Sequence, residues 1–398
     1  MAQPTLMGQL HRAIIRGEEV LSFEYDAEWL AQAEPFLLDP RLQFVEGRQH
    51  ADSKQPFGIF LDSAPDRWGR LLIRRRAALD SNGPPSPLFD SDYLLAVSDT
   101  CRMGALRFRE SLDGPFLARD SERSVPPLHH LRKLEHASRQ FEGSDADDPE
   151  QAEWLRMLVA PGTSLGGARP KCSVIDPAGQ LWVAKFPSRA DEVDVGAWEA
   201  LVHELAGSAG LRTASARKEA FSTAGHTFLS QRFDRINQQR IHFASAMNLL
   251  GYQDGDGAKT GASYLDLVDL IERIGANVTD DLEELWRRIV FNICVHNTDD
   301  HLRNHGFLLT DRGWVLSPAY DLNPQTWPGG LALNIDENSN ACELDLARSV
   351  SPYFRLSNER RESIIDKVTV AVSSWKKRAQ LAGLKNDEIE RMRVAFEN

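Results

Sequence analysis

Ten residues, Asn297-Thr298-Asp299-Asp300-His301-Leu302-Arg303-Asn304-His305-Gly306, bring together carboxylates, amides and imidazoles. Such groups accept protons, orient hydroxyls or hold cations. An apolar run from Phe307 to Leu309 follows, then a turn at Thr310-Asp311-Arg312-Gly313, a second run from Trp314 to Leu316, and Ser317-Pro318-Ala319-Tyr320-Asp321-Leu322. A polar loop and a lone aspartate therefore flank one β-hairpin.

Phosphoryl transfer from ATP needs that arrangement: one carboxylate to orient the attacking hydroxyl and take its proton, an amide oxygen and a second carboxylate to hold magnesium. Asp299 stands five residues before Asn304, the D-x-x-x-x-N separation of kinase catalytic loops. Asp321 falls where a second metal ligand belongs. Upstream, Lys185 in Val183-Ala184-Lys185 sits on a strand, and Glu199 or Glu204 on the next helix could pair with it. Gly166 and Gly167, in the loop before that strand pair, let backbone approach phosphates closely. Singly, each has an ordinary explanation: a glycine turn, a lysine with its stem on apolar surface, an aspartate capping a turn. The four in this order carry the argument.

A competing arrangement is a transition-metal site from His296, His301 and His305 with Asp299 and Asp300. Asn304 and Gly306 disfavour the helix it needs, and it leaves Lys185 and the glycines without a role. His301 is expected instead to brace the loop, its ring bonded to backbone or carboxylate.

The positioning elements follow from periodicity. Cys172 to Ile175 and Leu181 to Phe186 read as strands joined by the turn Asp176-Pro177-Ala178-Gly179. Val195, Trp198, Leu201, Val202, Leu205 and Ala206 recur at helical spacing, with a stop near Gly207 or Gly210. Phe221 to Phe233 suggests strand pairing around Ala224-Gly225-His226. Leu282 to His296 predicts a helix leading into the polar loop, and helical spacing dominates from about Leu265 onward. Loops at Asn82–Pro87 and Glu142–Pro149 punctuate the first part, so residues 1 to about 120 read as a separate mixed unit. Strands first and helices afterwards predict an α+β, two-lobed chain.

Of 398 residues, 42% are apolar and 26% charged, a globular balance sufficient for two or three cores. With 46 basic against 58 acidic residues the net charge is -12, which argues against a nonspecific grip on phosphate backbones. Cys101, Cys172, Cys294 and Cys342 form no C-x-x-C pair, so neither a thiolate zinc site nor a disulfide framework is indicated and a reducing cytoplasm is expected. Met1 to Gly17 lacks the apolar core of a signal peptide. No run of about 18 apolar residues predicts a membrane span.

The chain resembles the HipA-type serine/threonine kinases, the toxins of bacterial toxin–antitoxin modules. The resemblance rests on Ser164-Leu165-Gly166-Gly167-Ala168-Arg169-Pro170-Lys171, Val183-Ala184-Lys185-Phe186-Pro187, Gln231-Arg232-Phe233-Asp234-Arg235, Asn297 to Asn304 and Tyr320-Asp321-Leu322. Phe23-Glu24-Tyr25-Asp26, Trp29-Leu30 and Pro65-Asp66-Arg67-Trp68-Gly69 extend it to the family's leading domain. It implies a two-lobed protein-kinase-like fold, with a β-rich N-lobe and a helical C-lobe, behind a small α/β N-terminal domain. The corresponding divisions are 1–120, 121–235 and 236–398.

By resemblance Asp299 is the catalytic aspartate, Asn304 and Asp321 are the magnesium ligands and Lys185 is the ATP-phosphate lysine. Glu199 rather than Glu204 is its helix partner. Lys171, with Gly166, Gly167 and Ala168, lies in the phosphate loop, and His301 belongs to the loop of the catalytic aspartate. Ser230 to Phe233, including Gln231 and Phe233, matches the hinge that accepts adenine through its backbone, and Ser164 matches the autophosphorylated serine whose modification ejects the loop. The implied cofactors are ATP and Mg2+. The implied partners are a helix-turn-helix antitoxin, which makes most of the DNA contact, and a protein substrate connected with translation, such as an aminoacyl-tRNA synthetase. Two other readings remain open: a small-molecule kinase of the aminoglycoside-phosphotransferase type, whose loop shares Asp299, His301 and Asn304, and a catalytically silent corepressor.

Overall fold

The computed structural model describes residues 4–32, 37–51, 56–80, 87–117, 125–143, 150–159, 167–237 and 239–397. Ser164 and Gly166 lie outside them. The chain forms two compact units: Met1–Val183 with Asp234–Ala244 and Asn248–Gly251, and Ala184–Phe233 with Ser245–Met247 and Tyr252–Asn398. Among the described residues no helix is long and apolar enough to cross a membrane.

In the first unit, strands Gly8–Ile15 and Glu18–Tyr25 pair antiparallel, and Arg48–His50 joins the second of them. Arg16 and Gly17 connect the pair with φ of 55° and 85°; two consecutive positive values suit the twist of a two-residue hairpin. Phe23 and Tyr25 pack with Leu38, Leu42, Phe57, Ile59, Phe60 and Leu94 into a core. The helices Arg67–Asp80, Leu131–Gly143 and Gln151–Val159 belong to the same unit, with the Trp68 and Phe141 rings meeting edge to face at 5.6 Å. The turn expected at Asp176–Gly179 is present between Lys171–Ile175 and Leu181–Lys185: Asp176 Oδ1 accepts from the backbone N–H of Ala178 at 2.9 Å and of Gln180 at 2.8 Å.

In the second unit, the end of the Leu181–Lys185 strand lies beside Gly225–Gln231, which pairs antiparallel with Ala216–Ser222. The turn falls at Thr223-Ala224; the first arm begins five residues before the expected Phe221, and Gly225 and His226 open the second strand. The helix Val195–Ala209 runs three residues past Ala206, the last apolar position of the periodic pattern, and stops at Gly210, whose φ of 88° forms a left-handed cap. The helix leading into the polar loop spans Val278–Val295, starting four residues before Leu282 because Asn277 and the acidic Asp280 and Asp281 suit its first turn. Strands Gly306–Thr310 and Gly313–Leu316 form the expected hairpin, and helices Leu344–Val350, Asn358–Ser373, Trp375–Leu381 and Asn386–Phe396 complete the unit.

Gly196 fixes how closely the helix Val195–Ala209 approaches the strand Gly225–Gln231. A Cβ there would stand 1.9 Å from the His226 carbonyl oxygen and 2.9 Å from its carbon, and backbone cannot yield as a flexible side chain can. Gly196→Ala is expected to force the helix outward and destabilise the chain by about 1–3 kcal/mol, the usual penalty of overpacking. Urea denaturation checks it; an unchanged midpoint would contradict the close packing.

Candidate active site

Lys185 is the last residue of its strand, and its side chain is only 15% exposed. Its Nζ donates to Glu199 Oε1 at 2.5 Å and to Asp321 Oδ1 at 2.5 Å, and stands 5.8 Å from the Phe228 ring centroid. Burial lowers the lysine pKa, but Asp321 and then Glu199 outweigh it and hold the group above the ordinary range, so the ammonium stays charged. Glu199, not Glu204, is therefore its helix partner. Glu204 is exposed, with a carboxylate oxygen 3.8 Å from Arg378 Nη1.

The helix that presents Glu199 is itself anchored. Asp194 Oδ1 caps it by accepting from the Ala197 N–H at 3.1 Å and also accepts the His226 N–H at 2.9 Å. Glu388 Oε2 accepts from the Asp194 N–H at 3.1 Å and from Trp198 Nε1 at 3.3 Å. His226 and Glu388 come from distant segments, and nothing in the local sequence announces them.

Asp321 adopts φ of 57°, uncommon for a residue with a side chain. Asn323 Nδ2 donates to its Oδ1 at 3.1 Å, and the Tyr320 hydroxyl donates to the Arg303 carbonyl at 2.5 Å, which ties this segment to the polar loop. In that loop Asp299 is exposed as a residue, yet partial enclosure pushes its carboxyl above the usual aspartate range, with Asp321 and Asp300 adding to the rise against an opposing His301. Asn304 is buried, and its Nδ2 donates to the Asp299 carbonyl at 3.0 Å. Lys185, Glu199, Asp299, Asn304 and Asp321 all belong to the second unit.

The three histidines do not converge. His296 Nδ1 lies 2.9 Å from the Gln325 carbonyl and its Nε2 3.2 Å from that of Gly329, while His305 Nε2 is 2.9 Å from Asp300 Oδ2. Among the described residues no group of three or more His, Cys, Asp or Glu could hold a metal ion. The expected bracing by the His301 ring is not seen at its Nδ1, which is buried without a hydrogen-bond partner. Asp300 does that work, having spent its carboxylate on Tyr264, Asn292 and His305.

Gln231 closes its strand, and its N–H donates to the Ser215 carbonyl at 2.8 Å. The Phe233 ring lies 5.6 Å from that of Tyr320. In the first unit, Gly167 is exposed with φ of 99°, and Ala168 follows it. Lys171 is buried and its Nζ pairs with Asp66 Oδ2 at 2.9 Å; Trp68 Nε1 donates to the Lys171 carbonyl at 3.0 Å. Asp66 and Trp68 lie 105 and 103 residues from Lys171, and no local signal names them as its partners.

The profile of the family described as the HipA-like C-terminal domain matches residues 163–375, which include Lys185, Glu199, Asp299, Asn304 and Asp321. The chain belongs to the HipA-like C-terminal domain family. Two curated Sinorhizobium fredii relatives are named "Putative kinase Y4mE" and "Putative kinase Y4dM": the first is 27% identical over 48% of this chain, the second 33% identical over 25%. The chain spans 48% and 24% of their lengths. A solved Shewanella oneidensis MR-1 structure, the toxin–antitoxin system HipA, HipB and operator DNA complex, superposes with a TM-score of 0.65 over 98% of this chain and 93% of that one at 17% identity. This HipA-like chain accordingly shares a mixed helix-and-sheet fold with HipA.

Lys185→Met leaves Glu199, 3% exposed, without its cation. We expect a loss of about 2–4 kcal/mol at pH 7, somewhat below that of breaking a fully buried pair, because Asp321 keeps 30% of its exposure. In the unaltered chain the folded pKa of Lys185 lies above its unfolded value, so its contribution is complete below about pH 10 and is lost as pH rises through the folded pKa. Urea denaturation at pH 7 checks the expected loss; an unchanged midpoint would contradict the pairing.

Proposed function

We propose that this HipA-like chain is an ATP- and magnesium-dependent protein serine/threonine kinase, acting in the cytoplasm as the toxin of a toxin–antitoxin module. The reading rests above all on the Lys185 ammonium set between Glu199 and Asp321, in the unit that also carries Asp299 and Asn304. That combination suits a group carrying several negative phosphate oxygens.

Asp299 would orient the substrate hydroxyl and accept its proton, and its exposure gives a protein side chain access. Lys185 would neutralise phosphate charge while Glu199 keeps the ammonium in place. Asn304 and Asp321 would hold magnesium: an amide and a carboxylate are hard oxygen donors, and Asp321 and Asp300, which add to the rise that burial imposes on Asp299, mark local negative charge for a cation to offset. When bound, the ion neutralises phosphate charge. Gln231 and Phe233 would present backbone to adenine, with the Gln231 carbonyl as acceptor because its N–H is committed to Ser215. The resemblance further implies phosphate-loop roles for Gly166, Gly167, Ala168 and Lys171 and autophosphorylation of Ser164; Gly166 and Ser164 lie outside the described residues, and Lys171 is buried against Asp66. Residues 1–120 form the leading domain in this reading, 121–235 the N-lobe and 236–398 the C-lobe.

The proposed partners are a helix-turn-helix antitoxin that reads operator DNA and a translation-related protein substrate, such as an aminoacyl-tRNA synthetase. The net charge of -12 fits a chain that leaves most DNA contact to a basic partner.

Asp299→Asn should cut incorporation of labelled phosphate by about 10²–10⁴-fold, the usual contribution of a general base, with the thermal midpoint retained. A folded variant with full activity would defeat the assignment. In the unaltered chain the transfer rate should fall as pH drops through the raised Asp299 pKa, because the protonated carboxyl cannot take the hydroxyl proton. Mapping phosphate on Ser164 after incubation with ATP distinguishes a protein kinase from a small-molecule kinase.

A further inference from the structure

Asp300, beside the proposed base, is 3% exposed, whereas Asp299 faces solvent. A buried carboxylate is costly unless donors replace its water. Here three converge on one oxygen: Asp300 Oδ2 accepts from the Tyr264 hydroxyl at 2.6 Å, from Asn292 Nδ2 at 2.7 Å and from His305 Nε2 at 2.9 Å. They come from the helix Tyr264–Ile274, the helix Val278–Val295 and the residue just before the strand Gly306–Thr310. The Tyr264 and His305 rings also meet edge to face at 5.6 Å.

The same network reaches the rest of the loop. Asn292 Oδ1 accepts from Asn297 Nδ2 at 3.1 Å, so one helix side chain holds the loop at both 297 and 300. The Asp299 carbonyl accepts from the His301 N–H at 2.9 Å and from Asn304 Nδ2 at 3.0 Å, and the Asn304 N–H donates to the His301 carbonyl at 2.8 Å. Moving residue 300 therefore moves the Asp299 carbonyl, and with it Asn304.

We propose that Asp300 is a positioning residue for phosphate transfer, which pins the loop so that Asp299 and Asn304 hold their working places; this rests on the kinase reading above. Side chains that orient reacting groups through such contacts typically change rates by 10–100-fold when removed. Their effect appears in kcat rather than in nucleotide binding, because Lys185 Nζ meets Glu199 and Asp321 directly.

The test compares Asp300→Ala, Asp300→Asn and Tyr264→Phe in the full chain, using labelled-phosphate transfer and amide hydrogen exchange. Asp300→Ala should lower kcat by about 10–100-fold with KM for ATP nearly unchanged, and should speed exchange across residues 297–305 more than elsewhere. Asp300→Asn should restore most of the rate, since its amide oxygen can accept the same three donors. Tyr264→Phe removes one donor without changing shape, so it should fold where Asp300→Ala does not and should show a smaller effect in the same direction. Folded variants with unaltered kcat and unaltered local exchange would overturn the proposal, as would a uniform rise in exchange that tracks global stability. Failure of the unaltered chain to transfer phosphate would refute the kinase reading instead, while the exchange arm still decides whether Asp300 pins the loop.

Discussion

One ammonium group, Lys185 Nζ, joins three segments that lie far apart in the chain: the end of a strand, the helix carrying Glu199, and the segment after the Gly306–Leu316 hairpin that carries Asp321. Two carboxylates this close would repel and resist burial without a cation between them. The lysine removes that penalty, and in return the carboxylates keep it charged. The strand end, the helix position and the Asp321 backbone are thereby held to one geometry. Gly196 permits the helix to come close enough, and Asp194, His226 and Glu388 stop it sliding.

The polar loop obeys a different constraint. It leaves Asp299 exposed while fixing its backbone, and a loop built of polar groups has little apolar surface with which to do so. A buried carboxylate next in sequence supplies the anchor. The in–out alternation of Asp300 and Asp299 lets one peptide segment be both rooted and exposed. The left-handed backbone of His296 and Asp321, φ 51° and 57°, shows where the chain bends into and out of this region; such conformations persist where surrounding contacts over-determine them.

In the first unit a comparable buried pair, Asp66 with Lys171, joins the start of the helix Arg67–Asp80 to the start of the strand Lys171–Ile175. Asp66 also caps that helix by accepting the Gly69 N–H at 2.7 Å. The carboxyl remains pushed upward because burial outweighs these partners. Family membership rests on residues 163–375, and the chain shares a mixed helix-and-sheet fold with HipA.

Much of this was legible from residue order alone. The spacing of Asp299 and Asn304, the Asp176–Gly179 turn, the Gly306–Leu316 hairpin and the amphipathic run from Val195 are local signals, because turns and periodicity are written within a few residues. The choice of Glu199 over Glu204 was not: both lie on one helix, and only packing decides which faces Lys185 and which faces solvent. Likewise Tyr264, 36 residues from Asp300, and Asn292, eight residues away, carry no mark of their partnership. That Asp300, rather than the Nδ1 of His301, holds the loop has the same reason, since hydrogen-bond partners of a buried group are set by what surrounds it in space. Sequence thus determined which chemical groups were available and in what order; tertiary structure decided which of them meet, because charge pairing and burial act across distances the local pattern does not record.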